Sequence, residues 1–589
     1  MSCFLLSLFS ILIAYFNPAH GYELSLYDFT PPIVWISLIL SIFGAISITV
    51  YILYRNLLKY YYFCFLGIFI LLFDRIILLY IPYIRGYYSW SGDNITHIGI
   101  LKDILTFGHT PSNIIYPITH ILLSELVYIT GLPIKTIANH TTALFSAFYV
   151  VSIYLLATSS LVTKREQIFA VTSIACVFFN SYDIYIMPNG WSLLYLPVIL
   201  FFYFKSLTKN HSLEYTILFF ITLIMYPFFH PLSTVVLILI LVIIGLVEYL
   251  ISIFKNKNFL LVKKSSFPLT PILLEIVIFL PWLLSFKQFN LNIKIMYRSI
   301  MTGSSPDVIA SMSGTINKLS LTTLEFIELS IRLLGQQLIF LIFFLLSVIL
   351  LMKYPNNKKN TKYLTILLSI TSFIGLMYAS YLLNIIPGLQ AIEAARLQAY
   401  LVIFTPIFAG FVLSYIVNKE ITIHKLNLAP TICVIIILIA STLSIFNVYP
   451  SPHVMQPNPS ITQMNMNCVE WFLNFRNPVI NNVYIMSPVY RFAAAVLGAS
   501  ESEKILGPNY LETNIPNHFS YTTVSNFGKS YIKDKFCMIT IFDKTVYNSV
   551  WKVVGRFNKD DFGKLENDFS VDKLYSNGEN DDFYVHSFS

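Results

Sequence analysis

Apolar runs of span length recur from the first residues to about residue 448, broken at intervals by short polar connections. About 20 apolar residues cross a hydrocarbon core of about 30 Å. The pattern predicts spans at 31–54, 61–83, 136–160, 167–182, 191–204, 212–229, 232–254, 267–286, 335–352, 363–384, 397–417 and 428–448. The stretch 114–131 is apolar but interrupted by His120 and Glu125, and is expected to lie against the membrane as a juxtamembrane or half-inserted helix. Residues 4–16 form a shorter run before Asn17-Pro18 and read equally as a first helix or a signal segment within residues 1–29. The expected fold is a polytopic all-α membrane protein of about 12 to 13 spans, occupying residues 30–448.

From residue 449 to 589 no run is long enough to span, and the pattern alternates between helical and extended segments. A helix near 469–476, strands at 483–486 and 536–542, a helix near 490–497 and a closing hairpin at Asn577-Gly578 predict a small soluble α/β domain. Cys468 and Cys537 are the cysteines of this domain, and a disulfide between them is left open.

Composition agrees with lipid as the main solvent: of 589 residues, 56% are hydrophobic and 12% charged. The whole chain has a net charge of +8; residues 449–589, with 12 Lys+Arg and 14 Asp+Glu, contribute −2, so the membrane part carries +10. Basic residues gather in alternate connections: Arg55 and Lys59, Lys164 and Arg165, Lys205 and Lys209, Lys255 to Lys264, Lys353 to Lys362, and Lys419 and Lys425. That bias assigns those connections to the cytoplasm and puts the outer loop 84–115, the connections 183–190, 287–332 and 385–396, and the C-terminal domain on the other side. A multi-pass protein of the cell membrane is expected, with membrane lipid as its surroundings and no nucleic acid as partner.

The suggestive polar chemistry lies on that outer side. Gly92-Asp93-Asn94-Ile95-Thr96-His97 opens a short amphipathic helix that ends at Gly108-His109-Thr110-Pro111. Asp93 and His97, one turn apart, share a face. A carboxylate there can act as general base, ligate a divalent metal or simply cap the helix. The Asn94-Ile95-Thr96 sequon overlaps this site and is not expected to be glycosylated. His230, in the tight turn before Pro231, can bind a phosphate or satisfy helix-end carbonyls. Within the spans, Asp74, Arg75 and Glu275 either brace helices or line an ion path, and the latter would indicate a secondary transporter. Asp74 and Arg75 point in different directions and are not expected to pair with each other.

Residues Tyr87 to Pro117 resemble the first outer loop of the GT-C superfamily of membrane glycosyltransferases, in the order Asp93, amphipathic helix, Gly108-His109-Thr110-Pro111 break and Tyr116-Pro117. The resemblance implies a polyprenyl-phosphate-linked sugar as donor and a protein, lipid or glycan as acceptor. It implies Asp93 and His97 as catalytic residues, and Arg396, His230 and Arg298 as candidates for the carrier phosphate. Asp183, Glu393, His109 and Tyr116 are candidates for an acceptor or second acidic site, with Asp93 and Asp183 as candidate metal ligands. The paired acid of oligosaccharyltransferase-type members is missing at Asp183, and their Trp-Trp-Asp-Tyr-Gly motif is absent. A simpler glycan transferase is therefore expected, with a secondary transporter or a non-catalytic scaffold as the alternatives.

Overall fold

A computed structural model describes the chain except for residues 180, 209–211, 257–267, 288–293, 295–296, 299–300, 302–320, 354–361, 386–393, 420–421, 424–425, 479–482, 486–488, 507–514 and 589. Among the described residues, seven helices are long and apolar enough to cross a membrane: Pro32–Arg55, Tyr61–Ile84, Ile134–Ser160, Pro231–Ile253, Thr323–Lys353, Lys362–Leu382 and Ala394–Val417. Shorter apolar helices, Ser2–Tyr15, Ile118–Thr130, Ser212–Phe228, Leu269–Leu284 and Ala429–Ile445, accompany them. The architecture is that of a polytopic all-α membrane protein carrying a small α/β domain.

Local chemistry fixes the ends of these helices. Pro32 opens one at the position where its missing N–H costs nothing, and Asn56 closes it in the left-handed conformation. Ser2–Tyr15 packs against Pro32–Arg55 and Tyr61–Ile84. Ser7 donates to Asp74 at 2.5 Å, and Ser41 donates to the other carboxyl oxygen at 2.7 Å.

Two spans depart from the periodic pattern. The run predicted at 167–182 ends as a helix at Ile174, although apolar residues continue to Phe179. Arg75 donates to the carbonyls of Ile174, Ala175 and Val177 at 3.2, 3.4 and 2.8 Å, and Ser444 exchanges hydrogen bonds with the backbone of Phe178. Backbone released from a helix at this depth survives because protein groups satisfy it. The span predicted at 335–352 is a helix from Thr323 to Lys353, extended by a polar turn in which Thr322 and Glu325 cap each other.

The C-terminal domain holds a four-stranded sheet ordered Val483–Ile485, Lys535–Thr540, Asn580–Val585, Val571–Ser576, parallel at the first pairing and antiparallel at the others. Asn577-Gly578 makes the hairpin, with Gly578 at φ +88°. The cysteines do not pair: Cys468 lies in a core shared with the outer loop, whereas Cys537 lies in the domain's own core.

This domain is stitched to the membrane part. Ser89–Trp90 pairs with Ser460–Ile461 as a two-stranded antiparallel sheet. Ile95, Ile98 and Leu101 of the Asp93–Phe107 helix share one core with Phe472, Phe492 and Phe536. Gly99 lets the Val489–Leu497 helix approach closely, since a Cβ there would fall 2.6 Å from the carbonyl oxygen of Ala494. Asp103 accepts from the amide and hydroxyl of Ser500, both at 2.8 Å, at the start of the Ala499–Leu506 helix. The Asp93–Phe107 helix is therefore roofed by the C-terminal domain.

Candidate functional site

Asp93 is the first residue of its helix, with Gly92 at the cap position at φ +79°, so the carboxylate projects from the helix end instead of closing it. Its side chain is 51% exposed and forms an ion pair with Arg491 of the C-terminal domain. Asn94 is fully buried. It donates to Ser89 at 2.8 Å and accepts from the amide of Ile186 at 2.9 Å, which leaves no amide for a glycan.

His97 does not share an open face with Asp93. It turns inward and lies 2.9 Å from His120, which sits on the Ile118–Thr130 helix with Thr119 and Ser124 on the buried side. Burial and, for His97, the nearby Arg491 charge push its pKa down to about 3, while burial and His97 hold His120 well below the usual range. Both rings are neutral at pH 7, and the hydrogen bonds then fix their tautomers. The Tyr116 carbonyl, 3.3 Å away, can only accept, so His120 carries its proton on Nδ1. Its Nε2 then accepts from His97 Nδ1, which leaves His97 Nε2 as a lone-pair acceptor.

Tyr116 is the hub. Its ring lies 6.2 Å from that of His120 and 5.5 Å from that of His230. Burial and the charge of Asp93 raise its pKa, and the charge of Arg396 opposes that shift, so both charges bear on one phenol. Trp282 donates to the neighbouring Ile115 carbonyl at 3.0 Å and holds this segment in place. His230 accepts from the amide of Leu232 through Nδ1 at 3.3 Å, so the neutral ring offers Nε2–H as a donor. Its pKa is pushed down to about 3 by burial and by Arg396. Tyr116 thus contacts His230, and the charges of Asp93 and Arg396 both act on its phenol.

Other expected residues lie elsewhere. His109 is exposed and bonds only its neighbour's carbonyl, at 3.2 Å. Arg298 is exposed, and Glu393 lies outside the described residues. Asp183 is buried, paired with Arg75 at 2.8 Å and bonded to Ser146. That pairing removes it from the acceptor and metal candidates, because its charge is already matched inside the bundle.

Asp93 and Asp183, the candidate metal ligands, are each committed to another partner. The two proposed ligands each hold a guanidinium, and among the described residues no group of three His, Cys, Asp or Glu side chains could hold an ion. The sequence flagged His120 only as an interruption of an apolar run. Nothing in it marked Arg491, which lies 398 residues beyond Asp93.

The lowered pKa values of three buried histidines predict that the folded protein is acid-sensitive. The unfolded chain binds protons near pH 6.5 that His97 and His230 accept only near pH 3, so stability falls as pH drops through that window. Thermal unfolding is expected several degrees lower at pH 5 than at pH 7, with His230→Gln reducing the difference. An identical difference in that variant would remove His230 from the effect.

No protein-family model and no curated protein matches the chain. Among solved structures it is similar to the Archaeoglobus fulgidus oligosaccharyltransferase in complex with Zn and sulfate, with TM-score 0.49 and 13% identity over 84% of this chain and 71% of that one. It is similar to archaeal oligosaccharyltransferase AglB from Archaeoglobus fulgidus in complex with an inhibitory peptide and a dolichol-phosphate, with TM-score 0.48 and 13% identity over 90% and 74%. A third likeness is to ArnT from Cupriavidus metallidurans bound to undecaprenyl phosphate, with TM-score 0.46 and 9% identity over 89% and 98%. These are GT-C glycosyltransferases, the superfamily that residues 87–117 resemble.

Proposed function

We propose that the protein is a membrane glycosyltransferase that moves a sugar from a polyprenyl-phosphate carrier to an acceptor hydroxyl on the extracytoplasmic face. The observation that carries this reading is the contact of Tyr116 with His230 in a place where the charges of Asp93 and Arg396 both act. Asp93 takes the acceptor proton. Arg396, before the apolar helix Thr405–Val417, and the Nε2–H of His230 hold the carrier phosphate, which cannot approach hydrocarbon without charged or donating partners. His97 Nε2, an acceptor by its tautomer, takes a hydrogen bond from a sugar or acceptor hydroxyl. The lipid chain lies along the bundle, so the donor enters sideways and needs no soluble nucleotide-sugar site.

The test is binding of undecaprenyl phosphate to the full chain in nanodiscs, read by native mass spectrometry. Arg396→Gln is expected to weaken it about tenfold or more, with a smaller loss for His230→Ala. Unchanged affinity in both variants would remove these residues from the carrier site.

A transporter reading retains one observation. Glu275 is fully buried, and among the described residues neither of its carboxyl oxygens has a hydrogen-bond partner. Asp74 and Arg75 do not support that reading, since both are spent on bracing: Asp74 on Ser7 and Ser41, Arg75 on Asp183 and three carbonyls.

A further inference from the structure

Resting on the transferase reading, we infer that Arg491 is a catalytic residue, the site's transferable counter-charge. It faces Asp93 before reaction and the departing phosphate after it, in the place a divalent metal would otherwise hold.

The guanidinium is built into the site by the docking of the C-terminal domain. Gly99 seats the Val489–Leu497 helix against the Asp93–Phe107 helix, Asp103 holds Ser500, and Lys102 donates to the carbonyl of Val496. Two of these contacts lie on the helix that bears Arg491 and the third at the start of the helix that follows it. Its side chain remains 23% exposed beside a carboxylate that is 51% exposed, so the pair borders the open site and is not sealed in a core. Its charge also reaches His97.

The charge balance of the transfer explains why a paired guanidinium belongs there. The bond between the sugar's anomeric carbon and the phosphate oxygen breaks, and its electron pair leaves on the phosphate. The acceptor oxygen bonds to the anomeric carbon, and its proton goes to Asp93. Asp93 thereby loses one negative charge while the phosphate gains one. A planar fork with five N–H donors beside both groups follows that charge from one oxygen acid to the other without leaving its helix. Such a fixed donor, aimed where charge develops, is what stabilises a leaving anion. With Asp93 already held by Arg491 and Asp183 sequestered by Arg75, no carboxylate pair remains among the described residues for a metal to bridge.

The hand-over is testable without knowing the sugar. Asp93→Asn mimics the protonated carboxyl and releases Arg491 for phosphate. The probe is neryl phosphate, a soluble ten-carbon polyprenyl phosphate, titrated against the full chain in nanodiscs. Arg491→Gln is expected to weaken binding about tenfold more in the Asp93→Asn background than with Asp93 present, and Arg491→Lys to keep part of the affinity. Chelation with EDTA should leave every value unchanged. Amide protection at Ser500 reports that the domain stays docked in each variant. Equal losses in the two backgrounds would overturn the hand-over, as would binding that EDTA abolishes and Mn²⁺ restores. If the folded wild type binds no neryl phosphate while its domain is docked, the transferase reading itself falls and this inference with it.

Discussion

Asp93→Asn is expected to lower sugar transfer by about a thousandfold, the range that a positioned general base contributes. Membrane insertion and thermal stability should stay at wild-type level. The substitution keeps the size and hydrogen-bonding capacity of the side chain, and the residue is half-exposed at a helix start, so little packing depends on it. The measurement is transfer of labelled sugar from polyprenyl-phosphate donors in membranes that contain the native acceptors. Activity retained in this variant would remove Asp93 from the mechanism, whereas loss of folded protein would mean that its pairing with Arg491 is structural.

The largest expected effect on stability comes from Arg75. Replacing it with Met strands a buried Asp183 carboxylate and removes the donor for three carbonyls of the unwound segment. Breaking a buried pair from one side costs about 3–5 kcal/mol. A large drop in the detergent melting temperature should follow, read by fluorescence-detected size exclusion. The double variant Arg75→Met/Asp183→Leu should recover part of the loss, because no unpaired charge remains. Recovery would be partial, since the carbonyls of Ile174, Ala175 and Val177 still lack their donor. A double variant no better than Arg75→Met alone would show that the carbonyl contacts, and not the ion pair, set the cost.

Much of the fold was legible because lipid imposes a crude rule: long apolar runs must be helices, and the runs from 31–54 to 428–448 all contain them. What escaped was wherever a polar side chain overrode the run. The helix predicted at 167–182 stops at Ile174 because Arg75, almost 100 residues earlier, rewards the backbone for unwinding, and hydropathy contains no trace of that contact. The outer loop shows the same division. Asp93 and Tyr116 could be picked out by local order, and His230 by its turn. The inward turn of His97 depended on a histidine that interrupts an otherwise apolar helix, and Arg491 depended on a docking geometry set by Gly99 and Ala494. Asp183 misled in the opposite way: a lone outer aspartate suggests chemistry until its guanidinium partner is seen.

The strand formed by Ser89–Trp90 and Ser460–Ile461, with Arg491 beyond it, gives the chain an order of assembly. The helix bearing Asp93 leaves the ribosome long before its roof: at about 5–20 residues per second, the intervening 398 residues take about 20–80 s. Throughout that interval the bundle can insert and pack while the Asp93 carboxylate lacks Arg491. A domain made after the bundle thus works as a completion signal, and a chain cut short within it would be an inserted protein in which Asp93 lacks Arg491.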